Sequence, residues 1–195
     1  MTSLLLASGG IDSTAIATIY RPEAAVFVDY GQRPAAGERR AVRDVCRHLE
    51  LPLHEISIDL QAIGAGLLST NDRQLAVASS PEWFPYRNQF LVTIAAGLAL
   101  QLGLEEIWLG LVAEDADRHA DGSAQFVTTL NDLLRLQEGM IALRAPAHET
   151  SSSSLLERAA LPEWLLDRTI SCHVASVACG ECPGCKKRLE ARRRR

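Results

Sequence analysis

The chain has no long uninterrupted apolar run. Its longest, Phe90 to Leu104, is broken by Thr93 and Gln101 and falls short of the roughly 20 residues that cross a bilayer, so no membrane span is expected. No basic segment precedes the first apolar stretch, which is itself cut by Ser8-Gly9-Gly10. That pattern is not a signal peptide, and the expected location is the cytoplasm. Positive charge is not in excess either: the formal net charge is -4, which speaks against electrostatic binding to nucleic acid or an anionic membrane. Cysteine is scarce and uneven. Of five, Cys46 stands alone and four crowd into Cys172–Cys185, which suits a metal site in a reducing compartment better than a disulfide framework. Internal repeats are absent.

What is present fits a single domain over residues 1–195, ordinary in its apolar and charged content. Ser3 to Ala7 is a short apolar run ended by glycines, with a helical pattern from Ser13 to Tyr20; this reads as buried strand, tight turn, helix. Ala24 to Tyr30 predicts a second strand. Gly31 to Pro34 turns into an amphipathic helix running to Leu49, with Ala41, Val42, Val45, Cys46 and Leu49 on one face. Cys46 there is a core residue. Leu53 to Ile58 alternates as a third strand. Leu60 to Pro85 predicts a long loop with one helical turn, in the manner of a lid or binding loop. Asn88 to Leu102, apolar almost all round, predicts a buried helix; Ile107 to Leu111 a fourth strand; Ser123 to Leu136 a helix; Ile141 to Pro146 an edge strand. Ser151 to Ser154 sits where a helix N-cap belongs. The basic tail, Lys186-Lys187-Arg188 and Arg192 to Arg195, reads as a solvated, frayed end. Strands alternating with helices predict an α/β fold, a Rossmann-like parallel sheet flanked by helices.

The glycine turn carries the first chemistry. Ser8-Gly9-Gly10-Ile11-Asp12-Ser13-Thr14 lies outside the carboxyl end of the first strand, where open α/β sheets bind ligands. Glycines let backbone N–H groups approach closely, the helix start attracts phosphate, and the hydroxyls of Ser8, Ser13 and Thr14 add donors. Asp12 is a candidate ligand for Mg²⁺. The lysine of the Walker loop and the third glycine of the dinucleotide fingerprint are both missing, so neither motif applies. The tail carries the second chemistry. Cys172, Cys179, Cys182 and Cys185 are spaced C-x₆-C-x₂-C-x₂-C, and four thiolates close a tetrahedral Zn²⁺ shell with no open position, a structural zinc knuckle within 172–185. His173 is a rival fourth ligand, and an iron–sulfur cluster would use the same cysteines.

Ser8 to Thr14 resembles the SGG-x-DS loop of the N-type ATP pyrophosphatases. Together with the C-terminal four-cysteine knuckle, it resembles the QueC-type family of 7-cyano-7-deazaguanine synthases over nearly the whole chain. Asp29-Tyr30-Gly31-Gln32-Arg33 is similar to the family's DYGQR, and Pro85-Tyr86-Arg87-Asn88 to its P-G-R-N. Gly110 with Glu114-Asp115 is similar to its G-x-x-x-x-D, Phe126-Val127 with Leu130-Asn131 to its E-F-V-x-x-L-N, and the four cysteines fall on its zinc ligands. The resemblance implies a HUP, or adenine nucleotide alpha-hydrolase-like, fold with ATP, Mg²⁺ and Zn²⁺. It implies an AMP-forming C–N ligase that turns 7-carboxy-7-deazaguanine and ammonia into amide and then nitrile, releasing AMP and pyrophosphate. Ala7 to Thr14, that is Ala7, Ser8, Gly9, Gly10, Ile11, Asp12, Ser13 and Thr14, would bind ATP. Asp12, Ser13 and Arg87 would be catalytic, Tyr30, Gln32, Arg87, Asn88, Asp115 and Asp121 would bind substrate, and the chain would pair as a homodimer.

Three departures from the family stand out. The family's S-x-Y-P-D-C is Asp117-Arg118-His119-Ala120-Asp121-Gly122 here, Pro34 replaces a histidine after Arg33, and the lysine of its N-K-x-E helix start is replaced within Ser151–Ser154. His119 either makes good a lost contact or is a solvated loop histidine. A diverged paralogue would stop at the amide or couple the activated acid to another amine, including one on a protein. The other readings are a tRNA-modifying ATP pyrophosphatase and a nucleotide-binding regulatory module.

Overall fold

The computed structural model of the chain describes residues 1–71 and 73–193. Five strands form one parallel sheet: β1 (Ser3–Leu6), β2 (Ala24–Asp29), β3 (Leu53–Ser57), β4 (Glu106–Trp108) and β5 (Ala142–Arg144). Their order is β3-β2-β1-β4-β5, with β1 paired in parallel to both β2 and β4. The strand order therefore reverses at β1. A crevice opens at such a switch point because the connections on its two sides leave in opposite directions.

β1 is buried from end to end, as an apolar run in the middle of a parallel sheet must be. Its side chains alternate between two layers. Leu4 and Leu6 join Val26, Val28, Ile107 and Leu143 under α3 (Arg87–Leu102) and α5 (Ala124–Arg135). Leu5 points the other way, toward α1 (Ile11–Tyr20), α6 (Ser152–Ala159) and α7 (Glu163–Arg168). Beside it α2 (Ala35–Leu49) lays Val42 and Cys46 on Ala25 and Phe27. Cys46 is thus a core residue, and burial pushes its thiol up to about 11.

The α/β reading, the edge position of β5 and the long loop with a single 3₁₀ turn at Gln61–Ile63 all hold. So does the N-cap: the Ser151 side chain accepts a hydrogen bond from the Ser154 N–H. Three expectations need correction. The helix α3 is not buried all round. Val92, Ala95 and Ala99 face the sheet, whereas Phe90, Leu100 and Leu102 are exposed, as are Leu133, Leu136 and Met140 nearby on the same side of the molecule. The fourth strand stops at Trp108, because the chain bends away at Leu109-Gly110-Leu111 toward the crevice.

The third correction concerns the tail, which as far as Arg193 is not frayed. Pro183–Arg193 forms α8, and the basic residues fasten it. Arg188 donates to the Leu166 carbonyl at 2.6 Å and to Thr169 Oγ1 at 3.2 Å, while Arg192 pairs with Glu163 at 2.6 Å and Asp167 at 2.8 Å. Arg194 and Arg195 lie outside the described residues. Leu165 and Leu166 of α7 are fully buried, so Leu166→Ala should cost about 2–5 kcal/mol in urea unfolding. A loss within the roughly 0.5 kcal/mol typical of surface changes would show that α7 is not part of the core.

Candidate active site

A cavity of about 270 Å³ opens where β1 and β4 part. Its floor is the glycine turn. Gly9 has φ +72, and a Cβ there would lie 2.7 Å from both Ala41 Cβ and the Val42 nitrogen; only glycine lets the turn lie this close to α2. Gly10 is extended and starts α1, two residues earlier than the apolar pattern indicates. Its carbonyl accepts from the Thr14 N–H at 3.1 Å, from Thr14 Oγ1 at 2.8 Å and from Ser13 Oγ at 3.2 Å. These bonds fix the first turn of α1, whose leading N–H groups have no partner within the helix. Ala7, Ser8, Gly10, Ile11, Asp12 and Ser13 line the cavity; Gly9 and Thr14 stand behind it and shape the turn.

One wall is acidic and carries a lysine that sequence reasoning missed. Lys187 Nζ lies 3.1 Å from Asp12 Oδ2 and 3.2 Å from Asp115 Oδ1. The other Asp115 oxygen accepts from the Val112 N–H at 3.1 Å, starting the short helix α4 (Ala113–Ala116). Burial raises the Asp12 carboxyl pKa against the lowering pull of Lys187. Asp12 Oδ1 is buried, and the buried Ser152 hydroxyl adjoins the carboxyl and helps to lower its pKa. No local signal marks Lys187, which reads as one charge in a basic tail.

The opposite wall holds Arg87 at the start of α3, donating from Nε to Asn88 Oδ1 at 3.1 Å. Burial works against its charge, but Tyr30, Asp121 and Glu38 outweigh it and hold the guanidinium pKa above its ordinary value. Tyr30 packs edge-on to Phe84 with centroids 5.2 Å apart. Gln32 is bracketed inside the protein: its Nε2 donates to Glu38 Oε2 at 2.7 Å and its Oε1 accepts from the Tyr30 N–H at 2.8 Å. Asn88 Nδ2 donates to the Asp121 carbonyl at 3.1 Å. Tyr30, Gln32, Arg87, Asn88 and Asp115 thus reach the cavity; the Asp121 side chain does not line it. Sequence reasoning also missed Glu38, which looks like an ordinary first-turn acid of α2.

The departure from the family pattern at residues 117–122 meets the long loop at the cavity. Arg118 is ion-paired with buried Glu82 from the long loop, and His119 Nε2 lies 3.4 Å from the same carboxylate. His119 is therefore a held cavity residue rather than a solvated one. Burial opposes the Glu82 charge, but the His119 hydrogen bond, its backbone bond and Arg118 hold its carboxyl down at about 2.

The C-terminal segment closes the remaining side. The Ile170 N–H donates to the Gly9 carbonyl at 3.0 Å, placing Ser171 and His173 on the cavity. The Sγ atoms of Cys172, Cys179, Cys182 and Cys185 converge within 4.8 Å of one another, with Cys179 and Cys185 at 3.9 Å. His173 lines the cavity instead, so the all-cysteine set is the one the fold assembles.

The family model described as "Queuosine biosynthesis protein QueC" matches residues 2–194. The chain belongs to the QueC family. It is 31% identical to the 7-cyano-7-deazaguanine synthase of Pseudomonas savastanoi pv. phaseolicola, over 96% of this chain and 90% of that one. It is 28% identical to the 7-cyano-7-deazaguanine synthase of Campylobacter curvus, over 96% and 91%. Among solved structures it is similar to the U34-tRNA thiolase NcsA from Methanococcus maripaludis with its [4Fe-4S] cluster, at TM-score 0.55 and 14% identity. That match covers 98% of this chain and 63% of the thiolase, and it shows a shared fold. The protein is thus an enzyme of the QueC family with a parallel α/β architecture and a cysteine group able to hold a metal. Among the described residues no helix is long and apolar enough to cross a membrane.

Glu38 gives this site a pH signature. Burial raises its carboxyl pKa from 4.5 to about 7, against the lowering effects of Gln32 and Arg87. A carboxyl that holds its proton more tightly folded than unfolded favours the fold at low pH. Its contribution is complete below 4.5 and is lost as pH rises through about 7. In urea unfolding across that window, Glu38→Gln should flatten the fall in stability seen in the unsubstituted protein. Identical pH profiles would show that Glu38 titrates normally.

Proposed function

We propose that the protein is a 7-cyano-7-deazaguanine synthase, an AMP-forming ligase that activates the carboxylate of 7-carboxy-7-deazaguanine with ATP and converts it with ammonia to amide and then nitrile. The observation that supports it most is the junction of the open α1 N-terminus with Asp12 and Asp115 at the switch point of the sheet, in a chain matched by the family from end to end. Residues 1–195 act as one ATP-pyrophosphatase unit on this reading.

The glycine turn, with Ser8 and Ser13, binds the β- and γ-phosphates, leaving the α-phosphorus open to in-line attack. A carboxylate oxygen of the substrate forms the new bond to that phosphorus as the bond to the β-phosphate oxygen breaks, and pyrophosphate leaves. Ammonia then adds at the acyl carbon and AMP departs, giving the amide. A second ATP adenylates the amide oxygen as pyrophosphate leaves and one N–H proton is lost, and elimination of AMP with the second N–H proton leaves the nitrile. Mg²⁺ held by Asp12 would neutralise the developing phosphate charge. Arg87, with its planar fork, orients an anionic group of nucleotide or substrate, and Tyr30, Asn88 and Asp115 complete the pocket. Gln32 and Asp121 act through their neighbours, Glu38 and Asn88.

The cysteine group fits one structural Zn²⁺. Zn–S bonds of about 2.3 Å place tetrahedral sulfurs about 3.8 Å apart, close to the Cys179–Cys185 separation; a four-iron cube needs a wider cage. The homodimer belongs to the same reading, with the exposed apolar strip of Phe90, Leu100, Leu136 and Met140 as its contact face.

Incubation with Mg-ATP and 7-carboxy-7-deazaguanine, with and without ammonium, should yield AMP, pyrophosphate and the nitrile mass. ADP with orthophosphate would overturn the proposal. Asp12→Asn should lower turnover by about 10²–10³-fold, the usual cost of losing one preorganised charge-stabilising group. Metal analysis should find one zinc per chain, and Cys182→Ser should release it and lower the melting temperature. An unchanged melting temperature after zinc loss would remove the structural role.

A further inference from the structure

Lys187 sits where the phosphates would arrive, although it comes from the far end of the chain. An ammonium has three donors. Two are taken by Asp12 Oδ2 and Asp115 Oδ1, which leaves one for the cavity that Lys187 lines. The other cations on the cavity are committed elsewhere. Arg188 is spent on the Leu166 carbonyl and Thr169, Arg118 on Glu82, and Arg87 lies against Tyr30 and Asn88 on the opposite wall.

The acids alone would repel a triphosphate. Asp12 and Asp115 place two carboxylates beside the helix start that is otherwise suited to phosphate, and the Lys187 ammonium offsets one of them. The start of α6 faces the same place and supplies no charge. Of its serine run, Ser151 is the cap and Ser152 is buried against Asp12. A small hydroxyl at that position leaves the space beside the carboxyl to a side chain from another element, and α8 packs on α6 to deliver it.

We propose that Lys187 Nζ is the cationic phosphate ligand of this site: it bridges Asp12 and Asp115 without nucleotide and turns its remaining donor to a β- or γ-phosphate oxygen when ATP is bound. This rests on the ATP reading above and adds a residue to it. The role makes Lys187 a discriminator between ATP and AMP, because AMP lacks the phosphates it would reach.

Calorimetric titration with Mg-AMPPNP, its α–β bond kept intact by withholding the acid substrate, and separately with AMP, tests the assignment. Lys187→Met, close in length and uncharged, should weaken AMPPNP binding by about 10-fold or more, as expected for losing a charged hydrogen bond, and change AMP binding less than about 2-fold. Equal loss for both ligands, or for neither, overturns it. Chemical acetylation of the unsubstituted protein, read by mass spectrometry, supplies a test that needs no variant. Mg-AMPPNP should protect Lys187 and AMP should not; equal labelling under both overturns the proposal. An unsubstituted chain that binds neither nucleotide sinks the ATP reading itself and this proposal with it. Binding by that chain with no Lys187 effect sinks this proposal alone.

Discussion

The site is joined at Gly9. Its positive φ and missing side chain let the β1–α1 turn press against the backbone of α2, where any Cβ would overlap Ala41 and Val42. Its carbonyl accepts the Ile170 N–H, which fastens the C-terminal segment to the same point. Three stretches of chain, around residues 9, 41 and 170, therefore share one contact. Substitution at Gly9 would not merely strain a turn; it would part the start of α1 from α2 and from the C-terminal segment around Ile170.

Around that joint the charges are grouped in pairs of opposite sign. Arg87 feels the acids Asp121 and Glu38, Lys187 lies against Asp12 and Asp115, and Arg118 against Glu82. Each cation loses hydration on burial, and each is offset by an acid close by, which is the condition under which buried charge persists. The pairs are unequal. Two acids surround Lys187, and Asp12 Oδ1, like Glu82 Oε2 in the Arg118 pair, is buried among groups that leave its charge incompletely matched. A bound cation together with an anionic ligand would settle that imbalance better than either alone.

How much of this was legible depended on how local its cause was. The β1–turn–α1 unit follows from a few adjacent residues: an apolar strand, two glycines, and hydroxyls that close the first turn onto Gly10. The Ser151 cap and the four-cysteine set are equally local. Composition misled for α3, whose all-round apolar sequence suggests burial, while the sheet covers only the face bearing Val92, Ala95 and Ala99. The basic tail misled for the opposite reason. Nothing near Lys187 or Arg188 in sequence shows that α7, Asp12 and Asp115 will stand beside them; those partners come from residues 12 to 169, and only the packing of α8 decides it. Asp121 and Thr14 lie in the right segments, yet the first contributes a carbonyl and the second a bond within the helix.

The cysteine group and the lysine are then parts of one arrangement. Cys182 lies just before α8, and Cys185 and Lys187 are on its first turns, so whatever gathers the four sulfurs also sets where the lysine can reach. Gly184, between them, packs so closely on the Ser171 carbonyl that a side chain there would push the helix away from the cavity wall. A metal held by the sulfurs would need no contact with substrate to matter for the chemistry on the reading given above. Its coordination would fix α8 at one end while Arg188 and Arg192 fix it along the α7 side. Held at both ends, α8 delivers Nζ to a point between two carboxylates within hydrogen-bond tolerance. A frayed tail would leave those carboxylates facing the cavity with no counter-charge from the chain at that wall.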